Sequence, residues 1–239
     1  MKKYNTQAIV LKSTKFRDAD KIFTLYTKDE GKISAIARGV RKISSRRAGN
    51  LDSLNVISVK ISESKGGFKN IDEVKTLQSF KELKKDLETS KRAYFILELV
   101  HKTVEEGEKD ERLYDLIIRS LKLLSTPRCN PDLAVVYFEI VFMKELGYQL
   151  DFENCVKCQK EIFSSISRKY AFNISRGGFV CGDCSGSGFP VSEDLVSWMG
   201  KIWKGDLKLK EKDLIKEIDS LLKRYIDLKL ESRFKSLEI

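Results

Sequence analysis

Val56-Ile57-Ser58-Val59-Lys60-Ile61-Ser62 alternates strictly: Ile57, Val59 and Ile61 are apolar, while Ser58, Lys60 and Ser62 are polar. Successive side chains of an extended chain point to opposite faces, so this segment is a strand with one face in a core and one in water. Four further β-branched runs flank it, at Gln7 to Ser13, Lys21 to Thr27, Lys32 to Arg38 and Lys69 to Leu77. Asp29-Glu30-Gly31 and Lys65-Gly66-Gly67 supply the hairpin turns between them. The connection from Gly39 to Leu54 is too polar and too basic to be a core element. Five strands with one long connection predict a small barrel of the oligonucleotide-binding type over residues 1–80.

After Phe80 the apolar period becomes helical. Ala93, Ile96, Leu97, Val100 and Val104 share one face, as do Leu113, Leu116, Ile117, Leu121 and Leu124. Asn130-Pro131-Asp132 is a cap, a first-turn proline and a favourable dipole charge, and Gly147 can close the helix they open. Ser192-Glu193-Asp194 starts a second helical block, with Leu195, Trp198, Ile202 and Trp203 on one face and Leu214 to Leu228 following. The expected fold class is therefore α+β and multidomain. A barrel (1–80) precedes a helical domain in two parts (81–150 and 190–239), and a Cys-, Gly- and Ser-rich insertion (151–189) divides that domain.

The chain has 239 residues, enough for a sizeable core, and 33% of them are charged. Lys plus Arg exceed Asp plus Glu by 45 to 35, a formal charge of +10. Residues 1–80 hold 17 of the cations and 8 of the acids, so nearly all the excess lies on the barrel. Such an asymmetry is the footprint of a polyanion partner, usually nucleic acid, although a general lysine bias for solubility gives the same composition. The longest apolar run, Leu133 to Met143, is broken by Glu139 and is too short to span a membrane. No apolar signal core follows Met1, so a cytoplasmic protein without membrane contact is expected.

Cys155-Val156-Lys157-Cys158 and Cys181-Gly182-Asp183-Cys184 are two CxxC knuckles separated by 22 residues. Together they offer four thiolates to a tetrahedral ion, which suits a structural Zn²⁺. A four-sulfur set leaves no open position for water, so catalysis at that ion is not expected. Disulfides fit a cytosolic chain poorly, and an iron–sulfur cluster is the other metal reading. Gly177-Gly178 and Gly182 allow the tight backbone of the second knuckle. Cys129 has no partner by spacing and reads as a free thiol.

Catalytic constellations are missing from the sequence. His101 is the single histidine and reads as a helix-surface residue. Neither Gly31-Lys32 nor Gly186-Ser187-Gly188 completes a phosphate loop. A binding protein, not an enzyme, is the expectation. The candidate binding element is Arg38-Gly39-Val40-Arg41-Lys42-Ile43-Ser44-Ser45-Arg46-Arg47, in which Arg38, Arg41, Lys42, Arg46 and Arg47 can neutralise phosphates without reading bases. A solvated charge run is the competing interpretation. Phe16, Tyr26 and Phe68 are candidate stacking platforms, for each of which core or turn packing is the stronger expectation.

The pattern TQAIVLKSTKFRDADKIFTLYTKDEGKISAIARGVRK over residues 6–42 precedes Phe138-Glu139, Leu146-Gly147-Tyr148 and the paired knuckles. In this order the parts resemble the bacterial RecO family of recombination mediators over nearly the whole chain. The resemblance implies an N-terminal oligonucleotide-binding fold, a helical C-terminal domain with a zinc module, and no turnover. It further implies binding of single- and double-stranded DNA and annealing of strands coated by single-stranded DNA-binding protein (SSB). Contact with the acidic C-terminal tail of SSB, association with RecR and indirect loading of RecA in RecF-pathway gap repair complete the implied role. Relatives often carry a proline after the basic loop and an arginine before Phe138-Glu139, where this chain has Leu51-Asp52-Ser53-Leu54 and Val136-Tyr137. From composition alone, an RNA-binding barrel with a zinc ribbon would look the same. A zinc-dependent nuclease is disfavoured by the closed thiolate set.

Overall fold

The computed structural model describes residues 2–148, 150–184, 186 and 188–230. Residues 231–239 of the expected C-terminal segment and Ser187 of the Gly-Ser-Gly stretch lie outside the described residues. The chain forms two compact units that divide between Ser125 and Thr126.

The first unit is built on a closed barrel of β1 (Lys2–Phe16), β2 (Asp20–Thr27), β3 (Gly31–Ala37), β4 (Asn55–Glu63) and β5 (Lys69–Ser79), ordered β1-β2-β3-β5-β4. All pairings are antiparallel except the short parallel contact of β3 with β5 at Ala35 and Ile36. This is the oligonucleotide-binding barrel expected from the alternation. Ile57, Val59 and Ile61 point inward with Ala8, Val10, Phe23, Leu25, Ile33, Ala35 and Ile71. β1 runs longer than its apolar core predicts, because Lys2 to Tyr4 pair with Glu63 to Ile61 of β4. A register shift between Val10 and Lys12 leaves Leu11 as an extra residue, and β1 bends there as a bulged strand must.

Two helices belong to the same unit. α1 (Leu87–Thr103) is capped by Asp86, whose carboxylate accepts the Thr89 N–H at 2.7 Å, and it packs against β1. Its apolar stripe therefore covers the barrel, with Ala93, Ile96, Leu97 and Val100 at 1% exposure or less. α2 (Glu111–Leu124) is capped by Asp110 and packs on α1. The loop between these helices is tied to β3 and β2. Gly107 donates its N–H to Lys32 O at 2.8 Å, Lys32 Nζ donates to His101 O at 2.9 Å, and Tyr26 Oη donates to Asp110 O at 3.1 Å. Gly31 allows this approach: a Cβ there would lie 2.1 Å from Glu108 O, and its φ of +64° is one that side chains disfavour. Gly31-Lys32 is thus an architectural clasp. These bonds group α1 and α2 with the barrel in the first unit.

The second unit is centred on α3 (Pro131–Glu145). Asn130 caps it by accepting N–H groups from Asp132 and Leu133, Pro131 occupies the first turn, and Gly147 ends it with φ +81°, as the sequence pattern predicts. α3 is apolar all round and buried from Leu133 to Ile140, packed by α4 (Glu193–Trp203) and α5 (Lys212–Leu230). Between α3 and α4 lies a small sheet, β6 (Tyr170–Asn173) between β7 (Gly178–Val180) and β8 (Phe189–Val191). Among the described residues, no helix is long and apolar enough to cross a membrane.

Candidate nucleic-acid interface and metal centre

The five predicted cations of the long connection do not share one role. Arg47 is half-buried and turns inward: Nη1 donates to Ile71 O at 2.6 Å and Nη2 to Arg38 O at 2.5 Å. Arg41 is exposed, and its Nη1 donates to Asp18 O at 2.8 Å and Arg17 O at 3.3 Å, fastening the loop to the β1–β2 turn. Gly39, at φ +66°, turns the chain out of β3, and its N–H donates to Asp20 Oδ1 at 2.7 Å. Arg38, Lys42 and Arg46 are exposed, with no carboxylate partner among the described residues. Arg47 therefore braces the loop, Arg38, Lys42 and Arg46 are presented by it, and Arg41 does both.

The connection overhangs a cleft of about 690 Å³ on the barrel, lined by β1, β2 and α1. Lys12, Lys15, Lys21, Arg41 and Lys42 contribute five cations to its lining. Among the described residues Asp52 is the sole carboxylate of that lining, and Lys84 Nζ neutralises it at 2.6 Å. Lys12, Lys15 and Lys21 were not singled out by the sequence reading. Their signal was present, since Lys12 and Lys15 interrupt a β-branched strand just past the bulge. Tyr94 of α1 also lines the cleft. Of the three aromatics for which core or turn packing was the stronger expectation, Tyr26 is fully buried, Phe16 lies under the Arg17 guanidinium at 5.1 Å, and Phe68 is 70% exposed at the β4–β5 turn.

The four knuckle cysteines converge. Their sulfurs all lie within 4.8 Å of one another, and Cys158 Sγ is 3.8 Å from Cys181 Sγ. A tetrahedral ion bonded to sulfur at about 2.3 Å needs sulfurs about 3.8 Å apart, so the cluster has the size to hold a metal ion. Tight backbone brings the knuckles together. A Cβ on Gly178 would meet Val156 Cγ1 at 2.4 Å, and one on Gly182 would meet Ser167 at 2.4 Å. Burial opposes ionisation of Cys155, but N–H groups of Cys181, Cys158 and Lys157 outweigh it and bring that thiol down to about 6. Burial and hydrogen bonds with Cys158 and Cys181 push Cys184 up to about 12. Four crowded thiols thus compete for protons, which suits a site that a cation completes. Cys129 stands outside this cluster, and burial raises its thiol.

His101 is more enclosed than expected. It is half-buried in the last turn of α1, its Nδ1 has no hydrogen-bond partner among the described residues, and burial together with Lys12 and Lys32 lowers its pKa. In the second unit Glu139 is fully buried, and neither carboxylate oxygen has a hydrogen-bond partner among the described residues. Desolvation, reinforced by Asp219, holds its pKa well above the ordinary value, against the pull of Lys223.

Residues 1–80 match the family profile described as "Recombination protein O N terminal", and residues 84–238 match "Recombination protein O C terminal". The chain is 33% identical to a "DNA repair protein RecO" from Thermoanaerobacter sp., covering 99% of this chain and 96% of that protein. Proteins of the same description from Desulforamulus reducens and Symbiobacterium thermophilum are 30% and 29% identical. They cover 100% and 98% of this chain, and 94% and 95% of their own lengths.

Proposed function

Because the chain belongs to the RecO family of DNA repair proteins, we propose that it is a DNA-binding recombination mediator that works without catalytic turnover. The observation that carries this reading is the barrel cleft with five cations and a neutralised carboxylate, under a loop whose free cations face solvent. Phosphates of either single- or double-stranded DNA are the ligand such a rim suits, and contacts of this kind do not depend on sequence.

In this role the first unit holds a strand while the second engages the acidic, apolar-ended C-terminal tail of SSB, so two coated strands come together and pair. A pocket of about 240 Å³ in the second unit supports the docking step: Phe189, Pro190, Leu195 and Leu221 line it, and Arg224 lies 5.4 Å from the Phe189 ring. An apolar side chain with a nearby carboxylate fits that combination. Base pairing drives annealing, so no nucleotide is consumed. RecR association and assistance to RecA loading place the protein in RecF-pathway gap repair, in the cytoplasm at the nucleoid. The Cys155, Cys158, Cys181 and Cys184 cluster holds Zn²⁺ as a structural ion that fixes the knuckles. A pull-down with SSB, intact and lacking its acidic tail, tests the partnership. Capture of the intact form alone is expected, and equal capture of both would refute tail recognition.

A further inference from the structure

Glu139 is the only buried carboxylate among the described residues, and it sits within α3 beside the buried Phe138, Ile140, Phe142 and Met143. Neither of its oxygens has a hydrogen-bond partner among the described residues. An unpartnered carboxyl in such a place costs stability that a leucine would not. What the carboxyl adds is a proton that can come and go.

The surrounding charges oppose its ionisation. Asp219 and Lys223 face it from α5, and Lys223 Nζ already bonds Asp219 Oδ2 at 2.8 Å. An ionised Glu139 therefore meets a like charge, with a cation that it must share. α4 also packs on α3, and its buried residues Leu195, Val196, Met199 and Ile202 are apolar. The charged Glu193, Asp194 and Lys201 of α4 are exposed, Glu193 paired with Arg168 and Lys201 lying over the Trp198 ring. Burial, and then Asp219, keep the proton on Glu139 well above the ordinary carboxylate range. α5 itself is fixed unevenly. Near its C-terminal end Tyr148 Oη donates to Lys229 O at 3.3 Å and Lys229 Nζ donates to Ser175 O at 2.7 Å. Its earlier turns bury Ile215, Ile218 and Leu222 and carry the Asp219–Lys223 pair.

We propose that Glu139 is a proton-operated latch on α5: the helix lies closed on α3 while the carboxyl is protonated, and when residues 212–223 lift, the carboxyl enters water and releases that proton to solvent. Leu221 and Arg224 line the pocket of about 240 Å³ with Phe189 and Leu195, so lifting α5 dismantles that pocket and a group docked there keeps the latch shut. The closed carboxyl holds its proton to higher pH than the exposed one does. The closed state is thus fully favoured below the exposed value of about 4.3 and loses ground as pH rises toward the closed one.

Hydrogen exchange of the full-length chain, corrected for the intrinsic rate at each pH, reads the opening directly. Protection of residues 212–223 should fall about tenfold per pH unit above about pH 4.3, for one proton released per opening, and level off once Glu139 ionises in the closed state. Glu139→Gln keeps the shape and cannot ionise, so its α5 protection should not depend on pH. Asp219→Asn removes the repelling charge, so the fall should level off at a lower pH. The barrel strands should show one profile in all these proteins. With ¹³C-labelled glutamate carboxyls, one signal, absent from Glu139→Gln, should keep its protonated shift at about pH 6, where exposed carboxylates have ionised. The latch is overturned if α5 protection in the unsubstituted chain does not vary with pH, if Glu139→Gln retains the slope, or if every glutamate carboxyl has ionised by that pH. Equal loss of protection across α3 and α5 would overturn it too, because the whole unit would then be unfolding.

Discussion

Replacing Arg47 by alanine should unfold the barrel more easily, whereas replacing its neighbour Arg46 should not. Arg47 spends its guanidinium on Ile71 O at 2.6 Å and Arg38 O at 2.5 Å, bracing the long connection against β5 and the end of β3. A hydrogen bond to a charged group contributes about 1.5–3 kcal/mol, and water compensates part of the loss at a half-buried position, so about 2 kcal/mol in total is a fair magnitude. At roughly 4 °C per kcal/mol this lowers Tm by about 8 °C. Lysine lacks the planar fork that reaches both carbonyls, so Arg47→Lys should recover little. Arg46 is exposed, and Arg46→Ala should leave Tm within about 1 °C. It should instead flatten the dependence of single-strand affinity on salt, by about 0.7 for one lost phosphate contact. Thermal unfolding by circular dichroism and anisotropy titrations across salt read the two effects separately. An Arg47→Ala protein with unchanged Tm would refute the division between shaping and presenting cations. So would an Arg46→Ala protein that melts early.

Three other expectations follow from the same geometry. Metal analysis of protein purified without chelator should find about one Zn²⁺ per chain, and Cys158→Ser should lower that content and increase hydrogen exchange over residues 151–189, whereas absence of zinc would defeat the assignment. Glu139→Gln should raise stability at pH 8 and change it little at pH 4. The folded pKa is raised, so the favourable neutral carboxyl is fully present below the unfolded value of about 4.3, and stability is lost as pH rises toward the folded pKa. Urea midpoints for both proteins across that range would expose an opposite sign. Gly31→Val should destabilise by about 3 kcal/mol or more, because φ +64° and a clash with Glu108 O act together; an unchanged urea midpoint would contradict the clasp.

Local chemistry made the strands and the α3 cap readable. Ile57, Val59 and Ile61 alternate, and Asn130-Pro131 marks a helix start by the hydrogen bonds it can and cannot make. The cysteine spacing was equally local: two knuckles declare a site wherever the intervening chain travels, and the four sulfurs do meet. The cleft was less readable because Lys12, Lys21, Lys42 and Tyr94 come from four separate segments, and only barrel closure brings them together. Nor does charge reveal direction. Arg46 and Arg47 are adjacent and identical in type, but one faces solvent and the other bonds to the backbone of its own barrel. The ends of β1 were missed for a similar reason: Lys2 and Lys3 extend through pairing with β4, not through an apolar pattern of their own. Gly31 reads as the end of a turn and Lys32 as the start of a strand, and their clasp on the α1–α2 loop emerges only from contacts about 70 residues apart in sequence.

The central claim is that this chain brings complementary strands together by binding them, and the rate of annealing measures it most directly. Two fluorophore-labelled complementary oligonucleotides, each coated with SSB, are mixed with the protein in a stopped-flow instrument without nucleotide, at low and at raised salt. The account predicts faster pairing at low salt, a smaller gain as salt screens the rim, and a further loss when SSB lacks its acidic tail. No acceleration of either naked or coated strands at low salt would contradict it.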